Sequence, residues 1–195
     1  WKLSAKHFNL PLTEQHRQKL VGRTMEDNEK YLQELFPNHN MHNFMEYVST
    51  LVNSMFEQRG AKPKKGLFNL LKFLQHNNIK FCIVSASSKN KILTLLKKAN
   101  ISKSIFNCIV CGDDNLTGKP APDMFLHAAK LMNVPAENIV VLEDSPNGIL
   151  GASAANCIPV MIPDLIMPTE EIKEHCHKVL KNLNQVIKLI KNTNK

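Results

Sequence analysis

Two adjacent carboxylates, Glu143 and Asp144, follow an apolar run that is typical of a buried strand. The run Val140-Val141-Leu142 stops at this pair, and a Ser-Pro-x-Gly turn then leads into a helix-like stretch. Open α/β sheets bind ligands at the carboxyl ends of their strands, and paired carboxylates supply the hard oxygen ligands that Mg²⁺ prefers. The pair is therefore a candidate metal site, although a solvated loop or an acidic helix N-terminus would also explain this segment on its own.

Two further segments carry polar groups after apolar runs. The stretch Ser85-Ala86-Ser87-Ser88-Lys89 follows Phe81 to Val84 and places hydroxyl and amide groups at the start of a predicted helix, where a phosphate can be held. A serine N-cap explains the same residues without a ligand. Lys119 lies between Gly118 and Pro120. A surface lysine is the ordinary explanation of any single Lys, but the rigid flanks favour a positioned ammonium group.

The elements that must position these groups alternate between helix and strand after residue 66. We predict helices over 67–77, 89–99, 123–132 and 146–155, strands over 79–85, 107–111, 138–142 and 157–162, and a terminal helix over 179–190. Continuous apolar strands such as Phe81-Cys82-Ile83-Val84 favour a parallel sheet with helices on both faces. The fold class predicted is therefore α/β, a doubly wound, Rossmann-like sheet.

The first third of the chain has a different pattern. Apolar residues recur there at helical spacing, which predicts helices over 1–8, 14–21, 25–36 and 41–58, the second of them with Thr13 as its N-cap. The stretch 59–66 contains two glycines and a proline and is typical of a hinge. We therefore predict an α-helical domain over 1–60 and an α/β domain over 61–195.

Composition narrows the function classes. Hydrophobic residues make up 43% of the 195 residues, which supports a true core, and no apolar stretch approaches the roughly 20 residues that span a bilayer. The net charge of +8 is spread over helix-like surfaces without interleaved aromatic residues, which argues against nucleic-acid binding. Five cysteines, including the pair Cys108 and Cys111, are interpreted as structural thiols of a reducing cytoplasm, with a redox or metal role as the alternative.

The strings Ile83-Val84-Ser85-Ala86-Ser87, Gly118-Lys119-Pro120-Ala121-Pro122-Asp123 and Leu142-Glu143-Asp144-Ser145 occur in this order at the ends of successive strands. Together they closely resemble the haloacid dehalogenase-like superfamily, in particular its β-phosphoglucomutase-like group of phosphatases and sugar-phosphate mutases. The resemblance covers nearly the whole chain. It implies that the helical first third is an inserted cap domain.

The resemblance implies a phosphoaspartyl mechanism, in which an Asp at the end of the first strand attacks the phosphoryl group and a second Asp acts as general acid and base. At the matching positions, Ser85 would hydrogen-bond the phosphoryl oxygens and Lys119 would neutralise them. Glu143 and Asp144 would bind the Mg²⁺ cofactor. These roles agree with phosphoryl transfer, which depends mainly on positioning and charge neutralisation.

The family's Asp-x-Asp-Gly strand has no match in this sequence. In the family it precedes the cap by about two dozen residues and lies at the centre of the sheet. Without it, two buried strand edges would have unpaired N–H and C=O groups, each costing on the order of 1–3 kcal/mol. We expect the native gene product to have this strand upstream of Trp1. A naturally truncated, inactive protein and a sheet repaired by another segment are the alternatives.

The cap is expected to select the substrate. Arg23 in the loop 21–27 is a candidate for a distal phosphate or sugar hydroxyl, with Ser87 and Lys89 as further substrate-binding candidates, although a plain surface Arg is an equal alternative. The mutases have their Arg slightly later in this loop, which favours a phosphatase. The expectation is a monomeric cytoplasmic phosphatase of small phosphate esters, with a mutase or a non-catalytic binding protein as alternatives and with no nucleic-acid or membrane partner. The sequence does not identify the ester.

Overall fold

A computed structural model describes residues 1–193 of the chain, leaving out the side chains at positions 57, 59 and 193. The last two residues of the predicted α/β domain, 194 and 195, lie outside the described part. None of the described helices is both long and apolar enough to cross a membrane.

Four helices form the first third of the chain. They are α1 (Lys2–His7), α2 (Glu14–Leu20), α3 (Met25–Leu35) and α4 (Met41–Arg59). The predicted N-cap is confirmed, because the Thr13 hydroxyl accepts a hydrogen bond from the backbone N–H of His16 at 3.2 Å. Leu20, Leu32 and Phe44 are buried in a core of their own, where the helices pack their apolar faces together. The helical prediction is thus confirmed to within two residues at each end, whereas the domain division at residue 60 stays a prediction.

The rest of the chain alternates between helix and strand, as predicted. The helices are α5 (Leu67–His76), α6 (Lys89–Lys98), α7 (Asp123–Met132), α8 (Pro146–Ala154), α9 (Glu170–Glu174) and α10 (Leu183–Thr193). The strands are β1 (Ile83–Val84), β2 (Ile109–Val110), β3 (Val140–Glu143), β4 (Ile158–Met161) and β5 (Lys178–Val179). Every paired strand is parallel to its neighbour. The α/β fold class is therefore confirmed.

The strands form two parallel sheets, and the gap between them lies where the family's missing first strand is expected. β1 pairs with β2, and β3, β4 and β5 form the second sheet in that order. Between the facing edges of β1 and β3 lies an apolar cavity of about 820 Å³, lined among others by Cys82 and Val84 on one side and by Val140 and Leu142 on the other. This space is called the central cavity below. Within residues 1–193, no strand pairs with the edges of β1 and β3 that face it.

Two predicted elements begin four residues later than predicted, for local reasons. The strand predicted over 79–85 is reduced to two residues, because the backbone N–H of Phe81 donates to the Asn107 side chain instead of to a neighbouring strand. The terminal helix predicted from residue 179 begins at Leu183, since Lys178 and Val179 pair with β4. Neither change moves the carboxyl ends of β1 and β3, where the candidate site residues follow.

Candidate active site

Lys119 connects the ends of β1 and β3. Its side chain is 5% exposed, and its ammonium group donates to the Val84 carbonyl oxygen at 3.2 Å and pairs with the Glu143 carboxylate. The same nitrogen lies 5.0 Å from the centre of the Phe125 ring, which adds a cation–π contact. The position predicted from the rigid Gly-Lys-Pro flanks is thus a buried ammonium group at the carboxyl end of two strands.

Glu143 is held from several sides. Its side chain is 9% exposed, and its second carboxylate oxygen accepts hydrogen bonds from the backbone N–H of Asp144 at 3.2 Å and from the Ser145 hydroxyl at 3.1 Å. The Ser145 hydroxyl in turn accepts from the backbone N–H of Gly148 at 3.0 Å and so caps α8. A Cβ atom at Gly148 would lie 2.1–2.4 Å from the Glu143 carboxylate, so only glycine leaves room for this side chain. The Ser-Pro-x-Gly turn therefore holds the Glu143 carboxylate in place, through the Ser145 hydroxyl and the space left at Gly148.

Asp144 faces solvent and a lysine that sequence reasoning did not identify. Its side chain is 47% exposed, and one carboxylate oxygen lies 3.5 Å from the ammonium nitrogen of Lys64. Lys64 belongs to the linker between α4 and α5 and also donates to the backbone oxygen of Ile162 at 3.2 Å. No local pattern distinguishes Lys64 from Lys62 or Lys65 in the sequence, because its position depends on where the linker packs.

The serine loop after β1 is compact and hydrogen-bonded to itself. The Ser85 hydroxyl accepts from the backbone N–H of Ser87 at 3.2 Å, and the Ser87 carbonyl oxygen accepts from the backbone N–H of Gly112 at 2.9 Å. A Cβ atom at Gly112 would lie 2.4 Å from the Ala86 carbonyl oxygen, so the two strand-end loops are in close contact there. Lys89 is exposed, and its backbone N–H donates to the Asp113 carboxylate at 2.8 Å. The loop places the Ser85 hydroxyl directly after Val84, to which Lys119 also binds.

The loop that carries Arg23 packs against the turn after β3. A Cβ atom at Gly22, whose φ is +84°, would lie 2.4 Å from the Ser145 hydroxyl oxygen. The Asn147 side chain also donates to the Val21 carbonyl oxygen at 2.7 Å. These contacts bring the helical part of the chain onto the candidate site. Asn147 and Gly22 have no recognisable sequence signal, because the Asn147–Val21 and Gly22–Ser145 contacts each join residues more than 120 positions apart.

Arg23 itself packs within the helical part. Its guanidinium group lies 5.0 Å from the centre of the Tyr31 ring. Its Nε atom is buried and has no hydrogen-bond partner among the described residues. Arg23 is therefore next in the chain to a residue that contacts the site, while its charged group stacks on an aromatic ring.

The cysteines are free thiols, none of them fully exposed. Burial raises the pKa of Cys82 to about 12, and burial also raises the pKa values of Cys108 and Cys111. The Cys111 backbone N–H, which donates to Asp114, lowers the pKa of that carboxyl group. Thiols with raised pKa values are poor nucleophiles and metal ligands, which favours the structural interpretation over a redox role.

The metal-binding capacity of the site depends on two carboxylates. Among the side chains that the structure describes, no group of three or more His, Cys, Asp and Glu is arranged to hold a metal ion. Mg²⁺ is commonly bound by one or two carboxylates together with water and substrate phosphate oxygens. Glu143 and the half-exposed Asp144 offer such hard oxygen donors on the side of the sheet where Lys119 lies. The residues present therefore fit Mg²⁺ as a partial ligand set.

The family model described as haloacid dehalogenase-like hydrolase matches residues 2–162. A probable pseudouridine-5'-phosphatase of Drosophila melanogaster is 35% identical over 136 residues, covering 67% of this chain and 58% of the relative. The chain thus spans less than two thirds of the length of that relative. The matched family agrees with the resemblance drawn from the three sequence strings.

Two further proteins extend the comparison. A phosphorylated carbohydrates phosphatase of Thermotoga maritima is 26% identical over 152 residues, covering 77% of this chain and 69% of the relative. The crystal structure of a β-phosphoglucomutase from Clostridium difficile superimposes with a TM-score of 0.75 over 95% of this chain and 83% of that chain, at 24% identity. At this identity the structural similarity establishes the fold.

Proposed function

The chain belongs to the haloacid dehalogenase-like hydrolases, and on this basis we propose that the full-length protein is a Mg²⁺-dependent phosphatase of small phosphomonoesters, in particular sugar phosphates. The observation that carries the proposal is the Lys119–Glu143 pair at the ends of β1 and β3. Two relatives are named as phosphatases, one of pseudouridine 5'-phosphate and one of phosphorylated carbohydrates. A buried ammonium group at a strand end can neutralise the negative charge of a phosphoryl group, and the acidic residues beside it can bind a metal ion that does the same.

Lys119 and Ser85 would act on the phosphoryl group. The Lys119 ammonium group is already desolvated and directed by the Val84 carbonyl oxygen and Glu143, so it needs little reorganisation to stabilise negative charge that develops on the phosphoryl oxygens. The Ser85 hydroxyl follows the same strand and would donate a hydrogen bond to one of those oxygens. Because the Ser85 oxygen accepts from the Ser87 N–H, the hydroxyl hydrogen stays available for this donation.

Glu143 and Asp144 would hold the cofactor. When bound, Mg²⁺ offsets the negative charge of the transferring phosphoryl group. Glu143 is fixed by Lys119 and Ser145, whereas Asp144 is the more accessible carboxylate. Asp144 is therefore the residue of the pair whose removal should weaken metal binding with the least damage to the fold.

The nucleophile would come from a strand that precedes Trp1. Such a strand would occupy the central cavity and pair with the edges of β1 and β3 that no described strand pairs with, and its carboxyl end would come beside Lys119. An aspartate there would attack phosphorus and release the alcohol. A second carboxyl group would protonate the leaving oxygen and then activate the water that hydrolyses the phosphoaspartate. The apolar lining of the cavity supports this proposal, because it suits a central, fully buried strand.

The helical part would act as a cap that selects the substrate. Loop 21–27 already contacts Ser145 through Gly22. The Nε of Arg23 has no hydrogen-bond partner among the described residues, which makes Arg23 the candidate for a second anionic or hydroxyl group of the substrate. Ser87 would contribute to phosphate binding from the loop after β1. Lys89 is exposed and is the weaker candidate for a distal contact.

Phosphate release by the full-length protein tests this proposal. We expect inorganic phosphate to be released from pseudouridine 5'-phosphate or a hexose phosphate in the presence of Mg²⁺, and to stop when EDTA is added. Glu143→Gln should lower the rate at least 100-fold, whereas the matched control Glu137→Gln, at an exposed residue, should not. Conversion of a hexose 1-phosphate into a hexose 6-phosphate without phosphate release would instead identify a mutase. No turnover of any ester would support a binding protein and contradict the proposal.

A further inference from the structure

Lys64 lies between two aspartates at the carboxyl end of the second sheet. Its ammonium nitrogen is 3.5 Å from a carboxylate oxygen of Asp144 and 3.7 Å from one of Asp164. Asp164 follows the end of β4, so the two acidic side chains come from neighbouring strand ends. One positive charge is therefore shared between two carboxylates at almost equal distances.

The position of this ammonium group is built by the fold. The Ile162 carbonyl oxygen accepts a hydrogen bond from Lys64 at 3.2 Å, and Ile162 is buried directly after β4. The linker that carries Lys64 is held nearby, because the Lys65 carbonyl oxygen accepts from the backbone N–H of Leu183 at 3.1 Å. Lys64 is 35% exposed at its side chain and Asp164 is 58% exposed, so the ammonium group can change partners without leaving a buried charge unpaired.

We propose that Lys64 is an internal counter-cation of Asp144 that Mg²⁺ displaces, and that Asp164 receives the ammonium group when the metal binds. This inference rests on the proposed function, because it takes Asp144 to be a metal ligand. A divalent cation and an ammonium group repel each other at such short range. The Asp144 carboxylate therefore binds Mg²⁺ more weakly while the Lys64 ammonium group remains beside it. Lys64 is thus a positioning residue that sets how tightly the site binds Mg²⁺.

The Asp164 carboxylate gives the displaced ammonium group a second partner. With Asp164 present, Lys64 can turn from one carboxylate to the other while it keeps its bond to the Ile162 carbonyl oxygen. Without Asp164, the ammonium group has Asp144 as its remaining carboxylate within 4.0 Å among the described residues. The effect of Asp164 on metal binding should therefore depend on whether Lys64 is present.

Calorimetric titration of the full-length protein with MgCl₂ measures this effect without relying on turnover. A unit charge about 5 Å from a divalent ion, with water-like dielectric and physiological salt, changes its affinity about fivefold. We expect Lys64→Met to lower the dissociation constant for Mg²⁺ by about this factor. Lys64→Arg, which keeps the charge, should stay close to the wild type. Lys62→Met, an equal charge change at an exposed linker residue, should shift the constant less than twofold.

The role of Asp164 is tested by a double-mutant cycle on the same constant. Asp164→Asn should weaken Mg²⁺ binding about fivefold in the wild type but only about twofold when Lys64 is methionine, because the residual effect is direct attraction. An unchanged or weakened affinity in Lys64→Met, or equal effects of Asp164→Asn in both backgrounds, would overturn the inference while leaving the proposed function intact. A wild-type protein that binds no Mg²⁺ would refute both.

Discussion

Replacing Lys119 by methionine should destabilise the protein by breaking a buried ion pair. The two side chains are 5% and 9% exposed, so Glu143 would lose its cationic partner in a site that water barely reaches. Removing one partner of a buried pair costs about 3–5 kcal/mol. Glu143 would keep its hydrogen bonds from the Asp144 N–H and the Ser145 hydroxyl, which places the expected loss at the lower end, about 3 kcal/mol.

Urea unfolding of the full-length protein, followed by circular dichroism, measures this loss as a change in the free energy of unfolding. Lys72→Met serves as the control, because Lys72 is an exposed residue inside α5 and its replacement should change the stability by less than about 0.5 kcal/mol. The double variant Lys119→Met/Glu143→Gln should recover at least about 1 kcal/mol relative to Lys119→Met, since it removes the unpaired charge. A loss below about 1 kcal/mol in Lys119→Met, or no recovery in the double variant, would refute the reasoning.

Two further substitutions and one thiol-labelling reaction test the packing around the site. Gly148→Ala should displace the Glu143 carboxylate, because the new Cβ atom would lie 2.1–2.4 Å from it. The rate of phosphate release should therefore fall at least tenfold, while the free energy of unfolding measured in urea should change by less than about 2 kcal/mol. Gly22→Ala should lower the free energy of unfolding by about 1–3 kcal/mol in the same assay, because φ of Gly22 is +84° and the added Cβ atom would meet the Ser145 hydroxyl. An unchanged free energy of unfolding would show that loop 21–27 does not pack against Ser145. The Cys82 thiol, whose pKa burial raises to about 12, should react with iodoacetamide at pH 8 only after unfolding, as peptide mapping would reveal; rapid labelling of the folded protein would contradict its burial.

The parts of the site that follow strands were predictable from sequence because parallel strands share one carboxyl edge. Ser85, Lys119 and Glu143 come after successive predicted strands, and the structure brings the Lys119 ammonium group to both strand ends. The apolar runs indicated which segments are strands, although their hydrogen-bonded lengths depend on partners elsewhere in the chain. Asn107 shows this limit, since its side chain replaces a ladder bond at Phe81.

The parts that sequence did not reveal depend on packing between distant segments. Lys64 reaches Asp144 because the linker runs beside the end of β4, and a linker without regular structure has no periodicity from which to predict that course. The same limit applies to Asn147, whose partner Val21 lies in the helical part. Arg23 was a candidate for a ligand contact, but its guanidinium group stacks on Tyr31 of α3, and this contact between a loop residue and a helix residue eight positions later follows no helical spacing.

Acid quenching of the full-length protein during turnover, followed by mass spectrometry of its peptides, tests the central claim most directly. That claim is that this chain supplies the lysine, serine and carboxylates of a phosphatase whose nucleophile lies on a strand before Trp1. The predicted result is one phosphoryl group on an aspartate in a peptide that precedes Trp1, with more of it trapped when Mg²⁺ and substrate are both present. A phosphoryl group found on any residue between 1 and 193, or phosphate release with no trapped phosphopeptide upstream, would contradict the account.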